Sequence, residues 1–415
     1  MVAWSRDRAS WLLLALLAFQ LATALGSIWT RNDLDIFLAA AQDLLQGSNV
    51  YRASYNDCYS YFYGLAFAYL LAPLTALPIW MAKVLWSLAG LFLVGRCYQI
   101  MAGWLGLHAW PLARQRLVQV LVALVTLQSL RDNLGLGQAS LLLCWCGLES
   151  IALAARGRAL PAAMLLSFGI DMKLLPLIVL PYWIYRAHWR ATVLLPICLA
   201  AWVVLPLGIL GVENGKDLLS TRWQLLDPSD TRHVLDDEEH DFIALGSVIS
   251  AYLGGPQVND HRIDLPRRVA SLPDHSLGLL TWAARLLLGL GMLWFLRTLP
   301  FRGPHGDLHR AWETAYLLAC IPLVFPHQQN YATWYAAPAI LYLAVHTIAN
   351  PARGPWLIAA WVMLFLGMNV HLLLGHFGWF YDHYKVLSVS LLFTLIWLGR
   401  SQPDHLLVRM RTLQE

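Results

Sequence analysis

The sequence predicts an all-α integral membrane protein, a polytopic bundle of about twelve transmembrane helices. Of its 415 residues, 58% are hydrophobic and only 13% are charged, against roughly a quarter in ordinary soluble domains. A helix needs about 20 apolar residues to cross a bilayer core, and such runs recur along nearly the whole chain. This leaves no room for a separate soluble domain. The net charge of +4 is too small and too dispersed to predict nucleic-acid binding.

Twelve apolar segments are interpreted as crossings. The first follows two arginines and could be mistaken for a signal peptide, but further membrane segments come after it, so we interpret it as a retained helix. The predicted crossings are 10–30, 79–97, 115–130, 138–155, 159–171, 174–185, 191–212, 276–296, 311–325, 332–348, 356–375 and 385–399.

The charges orient these crossings by the positive-inside rule. One side holds sixteen Arg and Lys residues and four carboxylates, whereas the opposite loops hold eleven cations and nineteen carboxylates. The short basic loops 157–158 and 186–190 both lie on the cation-rich side. The pattern predicts a multi-pass protein of the plasma (inner) membrane with both termini in the cytoplasm.

This topology divides the chain into three parts. Residues 1–212 form a transmembrane module whose first outer loop is 31–78, residues 213–275 form a large outer loop, and residues 276–415 form a C-terminal transmembrane module. If the apolar segment 61–77 crossed the membrane, every later loop would lie on the opposite side from the one that its charges predict. This segment is predicted to be an outer-face helix that dips into the membrane, broken by Pro73 and Pro78.

The segment after the first crossing predicts an amphipathic helix on the outer membrane surface. Its apolar residues recur at helical spacing from Leu34 to Leu45, and Gly47 suits the position after its end. Asp33 is predicted to be the N-cap, because a carboxylate there accepts a backbone N–H. A cap carboxylate is held rigidly and points off the helix end, so the same residue could act as a catalytic base. The acidic run 236–241 is interpreted as solvated surface rather than as a metal site.

The stretch from Asp33 to Tyr51 resembles the opening of glycosyltransferase family 87, whose members are membrane enzymes of the GT-C superfamily. The family pattern is an Asp, then aromatics, two alanines, a leucine pair and a glycine before a Tyr. Leu136-Gly137-Gln138 and Lys173-x-x-Pro176 are similar to later family segments, and the resemblance covers about residues 10–200. The residues that fill the opening pattern are Asp33, Phe37, Ala40, Ala41, Leu44, Leu45, Gly47 and Tyr51.

Two segments depart from the family. Tyr61-Phe62-Tyr63 corresponds to its Tyr-x-Tyr, but Gly64 follows where a Pro pair is usual. The segment 242–250 occupies the approximate place of its Asn-Gln-Ser motif. These differences bear on sugar specificity more than on the class of reaction.

The resemblance implies a GT-C-type bundle that catalyses inverting glycosyl transfer. The donor is a polyprenyl-phosphate-linked sugar, with mannose favoured, and the acceptor is a lipid or glycan at the outer face of the membrane. One carboxylate suffices as general base because the leaving phosphate needs no proton. Asp33 is the predicted base and Asp35 its reserve, with no cofactor or metal expected.

Lys173 is the leading candidate for binding the donor phosphate, because a charge between two apolar runs is costly and is by default functional. Its structural alternative is pairing with Asp171, although residues i and i+2 face apart on a helix. Arg131 is either a second phosphate ligand or a topology anchor paired with Asp132. His327 and Gln328 lie in a polar outer turn. The sequence leaves two roles open for them: binding of the substrate, or capping of helix ends. The predicted substrate-binding set is completed by Gln138, Tyr61 and Tyr63.

Two other classes remain open. A transporter or flippase for a lipid-linked saccharide should show repeat-related halves with broken helices at the midplane, and no such symmetry is visible. A polymerase or ligase of surface glycans would depend on outer-loop arginines instead of Asp33, namely Arg262, Arg267 and Arg268.

Overall fold

The computed structural model describes residues 6–56, 59–227, 230–255, 265–350, 354–404 and 406. Within these ranges the regular secondary structure is helical, joined by turns and loops, apart from one isolated bridge between Tyr55 and Tyr59. Arg262 and Cys58 lie outside the described residues. The helices of the first half are α1 (Arg6–Gly26), α2 (Asp33–Leu45), α3 (Leu65–Leu71), α4 (Ile79–Trp104), α5 (Leu112–Val125), α6 (Leu127–Gly135), α7 (Ser140–Ala155), α8 (Ala159–Met172), α9 (Val179–Tyr185) and α10 (Trp189–Leu210).

The second half begins with short helices in the predicted outer loop 213–275 and returns to longer ones. Its helices are α11 (Val212–Leu225), α12 (Thr231–Leu235), α13 (Leu245–Leu253), α14 (Asp274–Leu296), α15 (Asp307–Ala319), α16 (Ile321–Val324), α17 (Ala337–Ala349), α18 (Pro355–Met368), α19 (Val370–Leu374), α20 (Trp379–His383) and α21 (Val386–Arg400).

Among the described residues, five helical segments are long and apolar enough to cross a membrane. α6 and α7 add a sixth if they count as one span bent by 116°. α8, α18 and α21 are apolar but shorter, so a membrane bundle is confirmed and the number of twelve crossings stays a prediction. The five segments are Arg8–Trp29, Ile79–Trp104, Trp189–Leu210, Asp274–Leu296 and Asn330–Ala349.

The predicted crossing 115–130 is wrong beyond Val125. α5 ends at Val125, and α6 begins at Leu127 as a separate helix. Residues 127–135 read LQSLRDNLG, and their polar side chains are the physical reason that the apolar segment stops early. Gln128 and Asn133 are buried in protein contacts at the end of the bundle.

Segment 61–77 contains a short helix, α3, continued by a 3-10 turn at Ala72–Ala76. Seven α-helical and five 3-10 residues span about 20 Å, less than the roughly 30 Å of a bilayer core. Pro73 lies in the 3-10 turn, and Pro78 directly precedes α4. This length fits a helix that dips into the membrane and does not cross it.

The core is built around α17. The segment Asn330–Ala349 is buried almost entirely, whereas the other four long segments have mostly exposed surfaces. α17 packs against α15, α5 and α21, while α8 packs between α7 and α10, and α4 packs on α7. An apolar helix that the protein surrounds contributes to the core, and the exposed apolar helices around it suit contact with lipid.

Each end of the bundle is closed by polar contacts. At one end Arg186 of the 186–190 loop is fully buried, forms an ion pair with Glu313 of α15 and donates to the Leu296 carbonyl at 2.8 Å. The opposite end gathers the start of α2, the α6–α7 turn, the end of α8 and the short helices α11–α13, which together form the candidate site.

Candidate active site

The start of α2 differs from the sequence prediction. Asn32, in an extended conformation, is the N-cap, and Asp33 is the first residue of the helix. The Asn32 N–H donates to Asp35 Oδ2 at 2.7 Å. The prediction that Asp33 is the N-cap is therefore wrong, because Asn32 occupies the cap position and the Asp35 carboxylate accepts its N–H. Asp33 is left free of the capping role.

The turn between α6 and α7 holds Asp33 from two sides. The Asp33 N–H donates to the Leu136 carbonyl at 2.9 Å, and Gln138 Nε2 donates to Asp33 Oδ2. Gly137, with φ of +66°, lies so close to α2 that a Cβ there would approach Leu34 Cβ to 2.8 Å. The Leu-Gly-Gln sequence thus fits a turn that positions this carboxylate.

Asp35 has a different role. Besides the Asn32 N–H, its Oδ2 accepts from Lys83 Nζ at 2.9 Å, and the same ammonium donates to the Thr30 carbonyl at 2.7 Å. Lys83 is only 5% exposed. A carboxylate that neutralises a buried lysine and supports a helix end is a structural group, so Asp33 is the better-placed base of the two.

Lys173 lies between α8 and the turn that leads into α9. Its ammonium is 5.7 Å from the centre of the Tyr63 ring. Among the described residues no hydrogen bond or ion pair to this ammonium is found. Asp171, its alternative partner, instead accepts from Arg222 of α11 at 2.8 Å, and the Arg222 guanidinium also donates to the Asp171 carbonyl. Lys173 is consequently available to a ligand.

Asp33 and Lys173 influence each other electrostatically. Burial raises the pKa of Asp33 to about 6, the nearby Lys173 opposes this rise, and Asp35 adds to it. Burial lowers the pKa of Lys173 to about 8, opposed by the charges of Asp33 and Asp236. A carboxylate whose pKa lies close to neutrality suits a general base.

The segment 61–64 brings Asp33 and Lys173 together. The Gly64 N–H donates to the Met172 carbonyl at 3.0 Å, and the Tyr63 ring packs edge-on against Phe37 of α2 with centroids 4.7 Å apart. A Cβ at Gly64 would approach the Asp171 carbonyl oxygen to 2.3 Å. Glycine in place of the family's proline pair is therefore required by this contact. Tyr61 is fully buried and donates to the Gly64 carbonyl at 3.0 Å, so it shapes the segment.

The acidic run is only partly solvated. Asp236, its first residue, is fully buried, whereas residues 237–239 are exposed. Asp236 Oδ1 accepts a hydrogen bond from the backbone N–H of His327 at 2.8 Å and lies 3.3 Å from the ring nitrogen Nδ1 of the same histidine. His327 Nε2 in turn forms a 2.7 Å hydrogen bond with His233 Nδ1. Burial raises the pKa of Asp236 to about 7 and lowers that of His327 to about 4, which favours a proton on Asp236 and a neutral imidazole.

The other predicted ligands lie in different surroundings. Both ring nitrogens of His327 face protein groups, so it anchors α12 and Asp236 to the 326–330 turn. Gln328 is fully buried and donates to the Pro326 carbonyl at 2.8 Å. Arg131 forms an ion pair with Asp132, with 3.3 Å between the nitrogen and oxygen atoms. This contact agrees with the alternative that Arg131 is a topology anchor paired with Asp132. The structure brings together Asp33, Gln138, Lys173 and Tyr63, and Lys173 is close enough to His327 for its charge to contribute to the lowered pKa of that histidine.

Sequence reasoning missed four residues of this site: Asn32, Lys83, Arg222 and Asp236. Lys83 carried a detectable signal, because a lysine within an apolar crossing needs a partner. Arg222 carried none, since it lies in a polar segment among other charges. Within the described residues, no three His, Cys, Asp or Glu side chains are grouped to hold a metal ion.

A helical membrane bundle that holds a half-buried carboxylate at one end, near a lysine that has no ion pair among the described residues, has the architecture of a membrane-embedded enzyme. The model of Glycosyltransferase family 87 matches residues 61–304, more than half of the chain. The protein belongs to this family and is a membrane enzyme that transfers a sugar. The match includes Tyr63, Gln138 and Lys173 and begins after Asp33. No curated protein matches the chain.

Proposed function

We propose that the protein transfers a sugar, with mannose favoured, from a polyprenyl-phosphate donor to a lipid or glycan acceptor at the outer face of the plasma membrane. The observation that carries this proposal is that Asp33, a rigidly held carboxylate with a raised pKa, lies within electrostatic reach of Lys173, whose ammonium forms no hydrogen bond or ion pair with the described residues. A base and a phosphate-binding cation are the two groups that such a transfer needs.

The reaction is an inverting displacement. The acceptor hydroxyl oxygen attacks the anomeric carbon, the bond from that carbon to the phosphate oxygen breaks, and the hydroxyl proton passes to Asp33. The polyprenyl phosphate leaves with the bonding electron pair, and Lys173 stabilises its developing charge. Gln138 keeps the Asp33 carboxylate oriented. A positioned base of this kind contributes roughly 10²–10⁴ in rate.

The polymerase alternative is less well supported. Arg267 donates to the His383 carbonyl at 2.9 Å, which gives it a structural partner. Arg268 is exposed on the surface. Transfer from a panel of radiolabelled polyprenyl-phosphate sugars by the purified protein in detergent tests the proposal directly. Product formed from no donor in the panel would contradict it.

Enzyme activity should depend on pH as a bell-shaped curve. Asp33 must be ionised to accept a proton, so kcat/KM rises as pH increases through about 6. Lys173 must be charged to bind phosphate, so kcat/KM falls as pH increases through about 8. Because the two groups interact, the apparent pKa values of the two limbs belong to the pair and not to either residue alone. Initial rates from pH 5 to 9 measure the curve, and a rate independent of pH across this range would contradict the assignment.

The proposed orientation places α11 outside and the α14–α15 loop inside the cell. In a Cys58→Ser background, we expect an impermeant maleimide added to intact cells to label Asn214→Cys and not Gly303→Cys. Both positions are exposed in the fold, so accessibility of the site itself does not decide the result. Permeabilised cells provide the control, in which both variants are labelled. Labelling of Gly303→Cys from outside would overturn the assigned topology.

A further inference from the structure

The loop between α14 and α15, residues 297–303, exposes apolar side chains at the end of the bundle opposite the candidate active site. Leu299 and Phe301 are 65% and 59% exposed, and Trp189, the first residue of α10, is 47% exposed. The rings of Trp189 and Phe301 pack together with their centroids 5.3 Å apart. We refer to Trp189, Leu299 and Phe301 as the apolar patch, which the proposed sugar transfer does not use.

The buried Arg186 holds this loop in place. Its guanidinium donates to the Leu296 carbonyl at 2.8 Å, to the Arg302 carbonyl at 3.1 Å and to the Thr298 hydroxyl. The Tyr185 hydroxyl donates to the Thr298 carbonyl at 2.7 Å. Because bonds hold the loop at both of its ends, the exposure of the apolar patch is a fixed feature of the fold.

Phe301 has an unusual backbone conformation. Its φ is +66°, in the left-handed region that bulky residues rarely adopt. The Phe301 N–H donates to the Tyr185 carbonyl at 2.8 Å, and this bond keeps the residue beside Trp189. A conformation that costs free energy and leaves a large apolar ring exposed indicates that the ring contacts something outside the protein.

The membrane is what the apolar patch contacts. α14 and α10 are two of the segments that are long and apolar enough to cross a bilayer, and the patch lies where α14 ends, at Leu296, and α10 begins, at Trp189. Exposed apolar side chains continue along both helices, as at Leu293 and Val193. Aromatic rings such as that of Trp are enriched at the headgroup level of membranes. The patch therefore lies at the boundary between hydrocarbon and water, in contact with lipid.

Two arginines flank the apolar patch. Arg190 and Arg302 each directly follow an aromatic residue of the patch, and both are exposed. Within the described part of the chain, neither guanidinium forms a hydrogen bond or an ion pair. Asp307, the next carboxylate after the loop, pairs with Arg310 instead. Since a guanidinium binds phosphate oxygens through two parallel N–H groups, these arginines complement an anionic headgroup.

We propose that the apolar patch, together with Arg190 and Arg302, binds an anionic phospholipid of the cytoplasmic leaflet. The two arginines hold the headgroup phosphate, and the acyl chains lie against the lipid-facing sides of α10 and α14. The leaflet follows from the proposed orientation, and the cytoplasmic leaflet is the one with a negative surface potential. The inference does not depend on sugar transfer, so a test of lipid binding is separate from a test of the proposed function.

Lipid binding is measured on the purified full-length protein by native mass spectrometry from detergent micelles. We expect phosphatidylglycerol to be retained in preference to phosphatidylcholine with the same acyl chains. The double variant Arg190→Gln, Arg302→Gln should lower the affinity for phosphatidylglycerol roughly 30-fold, the effect of two arginines at an anionic membrane surface. Its affinity for phosphatidylcholine should stay nearly unchanged. Both side chains are exposed, so the variant should keep the fold.

The double variant Arg156→Gln, Arg158→Gln is the matched control. It removes the same charge from exposed residues of another loop on the predicted cytoplasmic side, and that loop has no aromatic residue. This variant should retain phosphatidylglycerol as the wild type does.

Phe301→Asn tests the apolar part of the site. Asn tolerates the left-handed conformation, so the loop should keep its shape while the ring is lost. The affinity for phosphatidylglycerol should fall roughly tenfold, as expected when an aromatic ring loses its contact with lipid. An unchanged affinity would contradict the role of the patch.

Three further results would overturn the proposal. Equal retention of both lipids by the wild type would remove the preference for an anionic headgroup. An equal loss of phosphatidylglycerol in the control variant would reduce the effect to general surface charge. Displacement of phosphatidylglycerol by excess inorganic phosphate would assign the arginines to a soluble phosphate compound. A protein that binds phosphatidylglycerol as expected but transfers no sugar would refute only the proposed function.

Discussion

Replacing Asp33 with Asn is expected to reduce sugar transfer by roughly 10²–10⁴, the contribution of a positioned general base. The amide is nearly isosteric, and its oxygen can still accept from Gln138 Nε2. Asn32 caps α2, so the variant keeps the helix end and loses only the basic carboxylate. Transfer at saturating donor and acceptor measures the effect, and donor binding should be preserved.

A stability measurement separates this loss from misfolding. The raised pKa of Asp33 means that the folded state favours the protonated form. The resulting stability is present below the ordinary pKa of 3.8 and is lost as pH rises through about 6. Asp33→Asn removes this penalty, so its Tm in detergent should exceed that of the wild type at pH 7.5 and approach it near pH 4. A catalytic group that reduces stability is typical of active sites.

Asp35→Asn is the matched control two residues further along the same helix. Losing this carboxylate removes the ion pair of the buried Lys83, which keeps only the Thr30 carbonyl as an acceptor, and weakens the start of α2. We expect a lower Tm, with the remaining folded enzyme still able to transfer sugar. If Asp35→Asn is folded but inactive and Asp33→Asn is active, Asp35 is the base. If both variants keep full activity, the proposed mechanism is wrong.

The sequence predicted the part of the site whose residues lie in short linear motifs. The residues from Asp33 to Tyr51, the Gly137-Gln138 pair and Lys173 all carry a family resemblance, and the fold brings Asp33, Gln138 and Lys173 to one end of the bundle. Helical periodicity also predicted α2 correctly as amphipathic. The error at its N-cap concerned one residue, which is the usual uncertainty of helix ends.

Long-range pairing could not be read from the sequence. Asp171 and Arg222 are 51 residues apart, and Asp236 and His327 are 91 apart. Each pair joins two polar segments that hold several other possible partners. Charge counts predict on which side such segments lie, but the choice of partner depends on how α11 and the 326–330 turn fold over the site. Hydropathy likewise located the apolar segments but not the early end of α5 at Val125.

Lys173→Ala is expected to weaken transfer by about 10- to 150-fold, because a charge-assisted bond to phosphate contributes roughly 1.5–3 kcal/mol. The loss should appear in the KM for the donor and in kcat, since the developing phosphate charge is greatest in the transition state. Folding should be retained, because the ammonium has no ion pair among the described residues and burial already disfavours its charge.

The pH profile of Lys173→Ala gives a second, independent measurement. Lys173 lowers the pKa of Asp33, so its removal should move the rising limb of the kcat/KM curve to higher pH, while the falling limb near pH 8 should disappear. Lys216→Ala is the control: it removes the same charge from α11, where the side chain is 69% exposed, and it should leave both limbs in place. An unchanged donor KM together with unchanged limbs in Lys173→Ala would make Lys173 a structural residue, and the donor phosphate would have to bind elsewhere.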